Sequence, residues 1–225
     1  MNIKIVAVAA SAGLASIAAA EQVSFQYQSL GEGRNVRISE NGGAYFNVFS
    51  GSVIHNVDGV RAVTYCIDPD QWAQTGTMNF QQESLVNALD HRSEHQAKAW
   101  AIAELANAAG ATLWTDDVDN DLASAFQIAV WEIVLDFNSA GGASSLALSS
   151  GNFRAMSTNG SPLSGAVQSH FDNLVGGLSF GPVATGGYTA YTNDAKQDFM
   201  AQIPTPGTGI LALAGLPLIG SRRRR

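Results

Sequence analysis

The segment Asp121–Phe137, "DLASAFQIAVWEIVLDF", restricts the fold more than any other part of the 225-residue chain. Read as a helix, it is apolar on nearly every side, so it has to be covered all round inside the domain. Gln127 is carried inside with it, and a buried carboxamide needs hydrogen-bond partners there.

The cover comes from two kinds of sequence. Between Val23 and Ile67 the runs "VSFQYQSL", "NVRISE", "AYFNVFSG" and "VRAVTYCID" are short and rich in Val, Ile, Phe and Tyr. Turns such as Asn41-Gly42-Gly43 and Asp58-Gly59 separate them, which predicts an antiparallel β unit. After Pro69 the period changes. Ser84–Ala109 carries Leu85, Leu89, Ala97, Trp100, Ile102 and Leu105 at helical intervals, with a break near Arg92-Ser93 and a stop at Gly110. Ser139–Gly165 is rich in Gly, Ser and Ala and reads as a surface loop. A short helix around Leu163–Val175 and a strand around Gly187–Thr192 follow, then a polar approach to the C-terminus. The expected fold class is α+β, an antiparallel sandwich-like or barrel-like β unit with a packed helical subdomain.

The two ends carry addresses. Residues 1–20, "MNIKIVAVAASAGLASIAAA", place Lys4 before an apolar run ending in three alanines, the pattern of a secretory signal cleaved before Glu21. The last residues, "IPTPGTGILALAGLPLIGSRRRR", place an apolar stretch between Pro204-Thr205-Pro206 and four arginines. That cluster opposes translocation, so residues 203–225 read as a stop-transfer segment, short for a span and interrupted by Pro217. The segment resembles the PEP-CTERM sorting signal of Gram-negative and related bacteria, with Thr205 where that motif usually has Glu. The resemblance implies transient inner-membrane anchoring, cleavage by an exosortase-type processing enzyme, and release to the cell surface or the exopolysaccharide matrix of a biofilm. Residues 21–202 are then one extracellular domain.

All 19 acids lie in that domain, against seven of the 12 Lys and Arg residues. Such a body repels nucleic acid and anionic lipid head groups. No G-x-S-x-G elbow or Gly-rich phosphate loop appears, so neither a hydrolase constellation nor a cofactor is expected. His91-Arg92-Ser93-Glu94-His95 fits H-x-x-E-H, but its charged surroundings read as a solvated helix face, with no third zinc ligand identifiable. Asp117, Asp119 and Asp121 mimic the first half of a calcium loop. Leu122 then stands where Gly is required and Ile128 where the bidentate Glu should be, which favours helix capping over metal binding.

Cys66 is the single cysteine, so an exported chain holds it without an internal disulfide partner. Tyr65-Cys66-Ile67 together with Gln127-x-Ala129-Val130-Trp131 resembles the thioester domains of bacterial surface adhesins. In that family an aromatic-Cys motif on a strand and a Gln-x-Ala-Ile/Val-Trp motif on a helix form an internal Cys-Gln thioester. The resemblance implies that Cys66 is the thiol and Gln127 the acyl donor, with Tyr65, Ala129 and Trp131 as neighbours; Phe126 stands where the adhesins usually have Thr or Ser. The bland alternative leaves Cys66 a small buried hydrophobe, Gln127 a hydrogen-bonded core amide and Trp131 packing. The functional expectation is a non-enzymatic, adhesin-like surface or matrix protein whose covalent attachment to a surface or matrix polysaccharide or protein uses Cys66 and Gln127. The alternative is a non-covalent structural or carbohydrate-binding component of the same matrix.

Overall fold

The computed structural model describes residues 21–203. Seven strands and four helices follow in the order β1 (Glu21–Ser39), β2 (Phe46–Val57), β3 (Val60–Cys66), β4 (Thr77–Glu83), α1 (Leu85–Ala88), α2 (His95–Ala109), α3 (Asn120–Asp136), β5 (Arg154–Ser157), α4 (Gly165–Gly176), β6 (Tyr188–Asn193) and β7 (Lys196–Gln202). The fold is α+β, as the alternation of short β runs and helical periods predicts.

All strand pairs are antiparallel, in the order β2-β3-β7-β6-β4-β1-β5, and β1 also pairs with β2. The sheet therefore closes into a six-stranded ring, with β5 added outside it along the end of β1. Closure depends on β1 serving two neighbours. Its first residues pair with β4, from Glu21 with Gln82 to Gln26 with Thr77, while Phe25 to Ile38 pair with β2. Register shifts at Tyr27/Ser29 and Leu30/Gly33 bend the strand between these duties. "VSFQYQSL" and "NVRISE" are thus one long strand. The Asp58-Gly59 turn, with φ of 48° and 86°, is the two-residue hairpin that its sequence predicts.

Gly33 and Gly51 face each other across β1 and β2. A Cβ on either would lie 2.3 Å from a backbone oxygen of the facing strand, so only glycine permits this approach. The start of α3 docks here. Asn120 Oδ1 accepts from Gly33 N at 2.7 Å, and Ser50 Oγ donates to Ser124 O at 3.0 Å.

Helix α3 lies against β1 and β2, with α2 and α4 packed on it. Every residue from Ala123 to Val134 is buried, so the all-round apolar pattern has the all-round cover it demands. Phe126, Ile128 and Ile133 contribute roughly 2 kcal/mol each by leaving water. Asp119 caps the helix, its Oδ1 accepting from Asp121 N at 2.9 Å and Leu122 N at 3.0 Å. The barrel interior is a second core, in which Phe25 packs on His55, Phe80, Tyr191 and Phe199 at centroid separations of 4.1 to 5.6 Å.

Three strands lie where the sequence suggested none. β4 follows Pro69, β5 lies inside the Gly/Ser-rich segment, and β7 forms the polar approach to the C-terminus, placed between β3 and β6. The expected break near Arg92 is a turn that ends at Glu94, with φ of 54°. Among the described residues no helix is long and apolar enough to cross a membrane.

Candidate functional site

β3 ends at Cys66 because β2 stops accompanying it. Pairing between the two begins at Val53–Thr64, whereas on the other side β3 still runs beside β7, Cys66 opposite Phe199. One side of the Cys66 backbone is left without a strand. Gln127, projecting from α3, fills that place: its Oε1 accepts from Cys66 N at 2.9 Å and its Nε2 donates to Cys66 O at 2.8 Å. A carboxamide has the donor and acceptor spacing of a peptide group, so it completes the ladder as a surrogate strand residue.

The sulfur is held independently. Trp131 Nε1 donates to Cys66 Sγ at 3.2 Å, one helical turn beyond Gln127, and the thiol donates to Asp68 O at 3.3 Å. Cys66 is 3% exposed, Gln127 1% and Trp131 4%. The helix therefore presents an acyl group and an N–H donor on one face to a single residue 61 positions earlier in the chain. Burial drives the thiol pKa well above its ordinary value, while the Trp131 hydrogen bond opposes that rise. The thiol carries its proton at neutral pH.

Tyr65 faces the other way, as strand alternation requires. Its hydroxyl donates to Leu113 O at 3.1 Å, and its ring meets Trp114 and Phe126 edge-on at 5.6 and 4.8 Å. Phe126, where the adhesin motif has a hydroxyl, thus serves the packing of Tyr65. Ala129 is fully buried.

Above the junction opens a cleft of about 320 Å³ with Cys66, Gln127 and Trp131 in its lining. Val48, Val53 and Phe46 form part of its apolar wall. Trp72, 68% exposed, stands at the rim with its ring 5.6 Å from that of Phe46. The polar part of the wall comes from Glu40, at the β1–β2 turn, and from Asp70 and Gln71, which follow Cys66 in sequence. Arg92 braces this loop, pairing with Asp68 at 3.1 Å and Asp70 at 2.6 Å. Glu40 Oε1 and Gln71 Oε1 are buried without a hydrogen-bond partner. Arg92 Nε, in the same cluster, is likewise buried without a partner, so this polar wall has unmet capacity on both the acceptor and the donor side. Burial and the carboxylates of Asp70 and Asp68 raise the Glu40 carboxyl to about 7, against the opposing pull of Arg92.

Glu40, Asp70, Trp72 and Arg92 had no motif to announce them. Their one sequence signal is that Asp70 and Trp72 follow the cysteine closely in "CIDPDQW".

The other candidates lie elsewhere. Asp119 caps α3, Asp121 pairs with Arg34 at 2.8 Å, and Asp116 pairs with Arg61. Among the described residues no group of three or more His, Cys, Asp or Glu side chains is arranged to hold a metal ion. His91 falls in the turn before α2 and His95 at its start, so the two do not share a helix face. The signal segment 1–20 and the sorting motif Pro204-Thr205-Pro206 lie outside the described residues.

Comparison with known proteins finds no protein-family model, no curated protein and no solved structure that matches this chain.

Proposed function

We propose that the protein is an exported, non-enzymatic adhesin-like module in which Cys66 and Gln127 join as an internal thioester that attaches the molecule covalently to a target. The observation that carries this reading is the clasp itself. The Gln127 carboxamide lies against the backbone of Cys66, the sulfur of the same residue is held by Trp131, and both side chains line an open cleft. A structural glutamine would be equally satisfied in a closed core. Here both residues lie in the wall of a cleft, although each is almost fully buried.

The chemistry balances simply. The Cys66 sulfur adds to the Gln127 amide carbon, the C–S bond forms, the C–N bond breaks, and the thiol proton leaves with the nitrogen as ammonia. A protonated thiol is a poor nucleophile, but holding the two groups together replaces a bimolecular encounter worth roughly 7–11 kcal/mol of barrier. Burial then keeps water from the product. A nucleophile from outside opens the thioester, leaving an acylated target and the free thiol. The export and sorting segments fit this use, since they would deliver the domain to a surface or matrix through an exosortase-type enzyme, where a polysaccharide or protein offers hydroxyls and amines.

Intact mass of the exported domain tests the reading. The expected result is a mass lower than calculated by one ammonia, raised by one methylamine on treatment with that amine, and neither the deficit nor the adduct in Cys66→Ala and Gln127→Ala. A full calculated mass with a titratable thiol would overturn it. The exposed Trp72 beside Phe46 supports the second reading, a non-covalent carbohydrate-binding matrix component, because an aromatic face at a cleft rim stacks well on sugar rings. In that case glycan binding survives Cys66→Ala and is lost with Trp72→Ala.

A further inference from the structure

The ladder that Gln127 completes is also the arrangement an acyl transfer needs. β2 accompanies β3 only as far as Thr64, so the N–H of Cys66 is a strand donor without a strand. Gln127 Oε1 accepts from it at 2.9 Å, and Gln127 Nε2 donates to Cys66 O at 2.8 Å. These two bonds fix the oxygen and the nitrogen of one amide, the atom that gains charge and the atom that departs when the carbon between them is attacked. The sulfur belongs to the residue that makes both bonds. Side chains stand roughly perpendicular to a ladder, which places Cys66 Sγ off the plane of the carboxamide, the side on which a carbonyl carbon accepts a nucleophile. Trp131 Nε1, one helical turn beyond Gln127, donates to that sulfur at 3.2 Å.

We infer that the frayed end of β3 is a catalytic element: the backbone N–H of Cys66 holds the negative charge that forms on Gln127 Oε1, and the indole N–H of Trp131 holds the sulfur when it leaves. The inference rests on the thioester reading above. During formation Cys66 Sγ adds to the Gln127 amide carbon, and the electron pair of the C=O bond moves onto Oε1, against the Cys66 N–H. A donor fixed in place before the reaction needs no reorganisation, and its effect is largest where water is excluded, as it is around the buried Gln127. The thiol proton passes to the nitrogen, whose lone pair is free once the carbon is tetrahedral; the C–N bond then breaks and ammonia leaves. Opening runs through the same two donors. An outside nucleophile adds to the carbonyl carbon, the oxygen again takes charge against Cys66 N–H, the C–S bond breaks, and the sulfur departs as a thiolate facing Trp131 Nε1. It recovers a proton from the nucleophile. A charged sulfur accepts more strongly than an uncharged one, so this bond stabilises the transition state more than the ground state.

The Cys66 donor is tested on the wild type by infrared spectroscopy of the full exported domain, with glutamine isotope-labelled at its side-chain carbonyl. The thioester band is isolated as the difference before and after opening with methylamine. It should lie at the low frequency of a model thioester hydrogen-bonded in water, and in deuterated water it should move slowly, with the exchange of one buried backbone N–H. A band at the frequency of the model thioester in an apolar solvent, or one that moves at once with the solvent, overturns the role of Cys66 N–H while leaving the thioester standing. Trp131→Phe tests the second donor, since it keeps an aromatic ring in the wall and removes the N–H. Opening by methylamine, timed by intact mass in the fraction that carries the ammonia deficit, should slow on the order of 100-fold. A Trp131 that only packs against the site predicts the opposite direction, because a smaller ring admits amine and water and opening quickens. Equal or faster opening therefore overturns the role of Trp131. The infrared band decides the Cys66 assignment even where Trp131→Phe does not fold. A wild-type domain of full calculated mass removes the thioester reading and this inference together.

Discussion

The barrel interior and the junction of β3 with α3 both hold titratable groups in apolar surroundings, and they treat them differently. Inside the barrel His55 is 2% exposed and packed against Phe25 and Phe199. Its Nδ1 pairs with Thr64 Oγ1 at 2.8 Å, and that hydroxyl donates onward to Val53 O at 2.9 Å. Nδ1 carries this pairing, and the cavity that His55 lines holds only about 10 Å³. At the junction Gln127 and Cys66 are as deeply buried and as well paired, yet a cleft reaches them and the carboxyl beside it is left without a partner. Burial with full pairing describes a structural group. Burial that ends at an open wall beside an orphaned acid is what the proposed thioester requires.

The sharpest way to break that contrast is to remove the clasp from each side in turn. Gln127→Ala leaves the Cys66 N–H without its carbonyl partner, which costs roughly 1–3 kcal/mol; the Cys66 C=O has already lost its donor when the proposed thioester expels the amide nitrogen. The substitution also removes the proposed cross-link, whose closed loop would contribute roughly 4 kcal/mol. Cys66→Ala keeps the Gln127 carboxamide and its backbone bonds, but loses the proposed cross-link and leaves Trp131 Nε1 without its sulfur partner. Urea unfolding should therefore rank Gln127→Ala below Cys66→Ala, and both well below wild type. If Cys66→Ala costs only about 1 kcal/mol, the sulfur is an ordinary small core group and the two regions are alike.

The second prediction concerns pH, because burial moves the two regions in opposite directions. It lowers His55 from 6.5 to about 3 and raises Glu40 from 4.5 to about 7. Above pH 6.5 His55 is neutral folded or unfolded, and its contribution is fully present. As pH falls from there, the unfolded chain takes up a proton that the barrel refuses, and stability drains until about pH 3. Glu40 has the reverse sign: its contribution is complete below about 4.5 and is lost as pH rises through about 7. Replacing His55 by Phe should abolish an acid-limb loss on the order of 3 kcal/mol between about pH 7 and pH 4, read from paired urea melts. An unchanged acid limb would mean that water reaches His55, and the distinction between a closed and an open site would fail.

The legibility of the two regions differs for a physical reason. Helix α3 and the hairpin β2–β3 announce themselves through local signals, a 3.6-residue apolar period and an Asp-Gly turn. A thioester between Cys66 and Gln127 was suggested by a resemblance carried on a few residues; the structure bonds the Gln127 carboxamide to the Cys66 backbone, and the Cys66 sulfur to Trp131 and Asp68. The strands that close the barrel gave no such signal. β4, "TMNFQQE", buries only Phe80, because its other residues face solvent or lie partly open. β7, "KQDFMAQ", mixes Asp198 and Lys196 with its buried residues, and its neighbours β3 and β6 come from distant and adjacent parts of the chain. Barrel closure is a long-range property of register, which no short window contains. Glu40 was hidden for the same reason, since its proximity to Cys66 depends on β1 bending back along β2.

The smallest effect tests whether α3 behaves as a rigid carrier between its capped start and the clasp. Asp119 satisfies the backbone N–H groups of Asp121 and Leu122 and sits roughly two turns before Gln127. Asp119→Ala should cost about 1 kcal/mol in urea unfolding, the ordinary value of a helix cap. The interior stretch from Ala123 to Val134 is buried on all sides and docked at Gly33 and Ser50, so loss of the cap should fray the first turn without rotating Gln127 away from Cys66. The ammonia deficit and the methylamine opening rate should then match wild type, with or without a calcium chelator. A calcium-dependent change in stability that Asp119→Ala removes would mean that the carboxylate serves a metal and not only a helix end. A lost mass deficit would mean that the clasp depends on the whole helix and not on its packed centre.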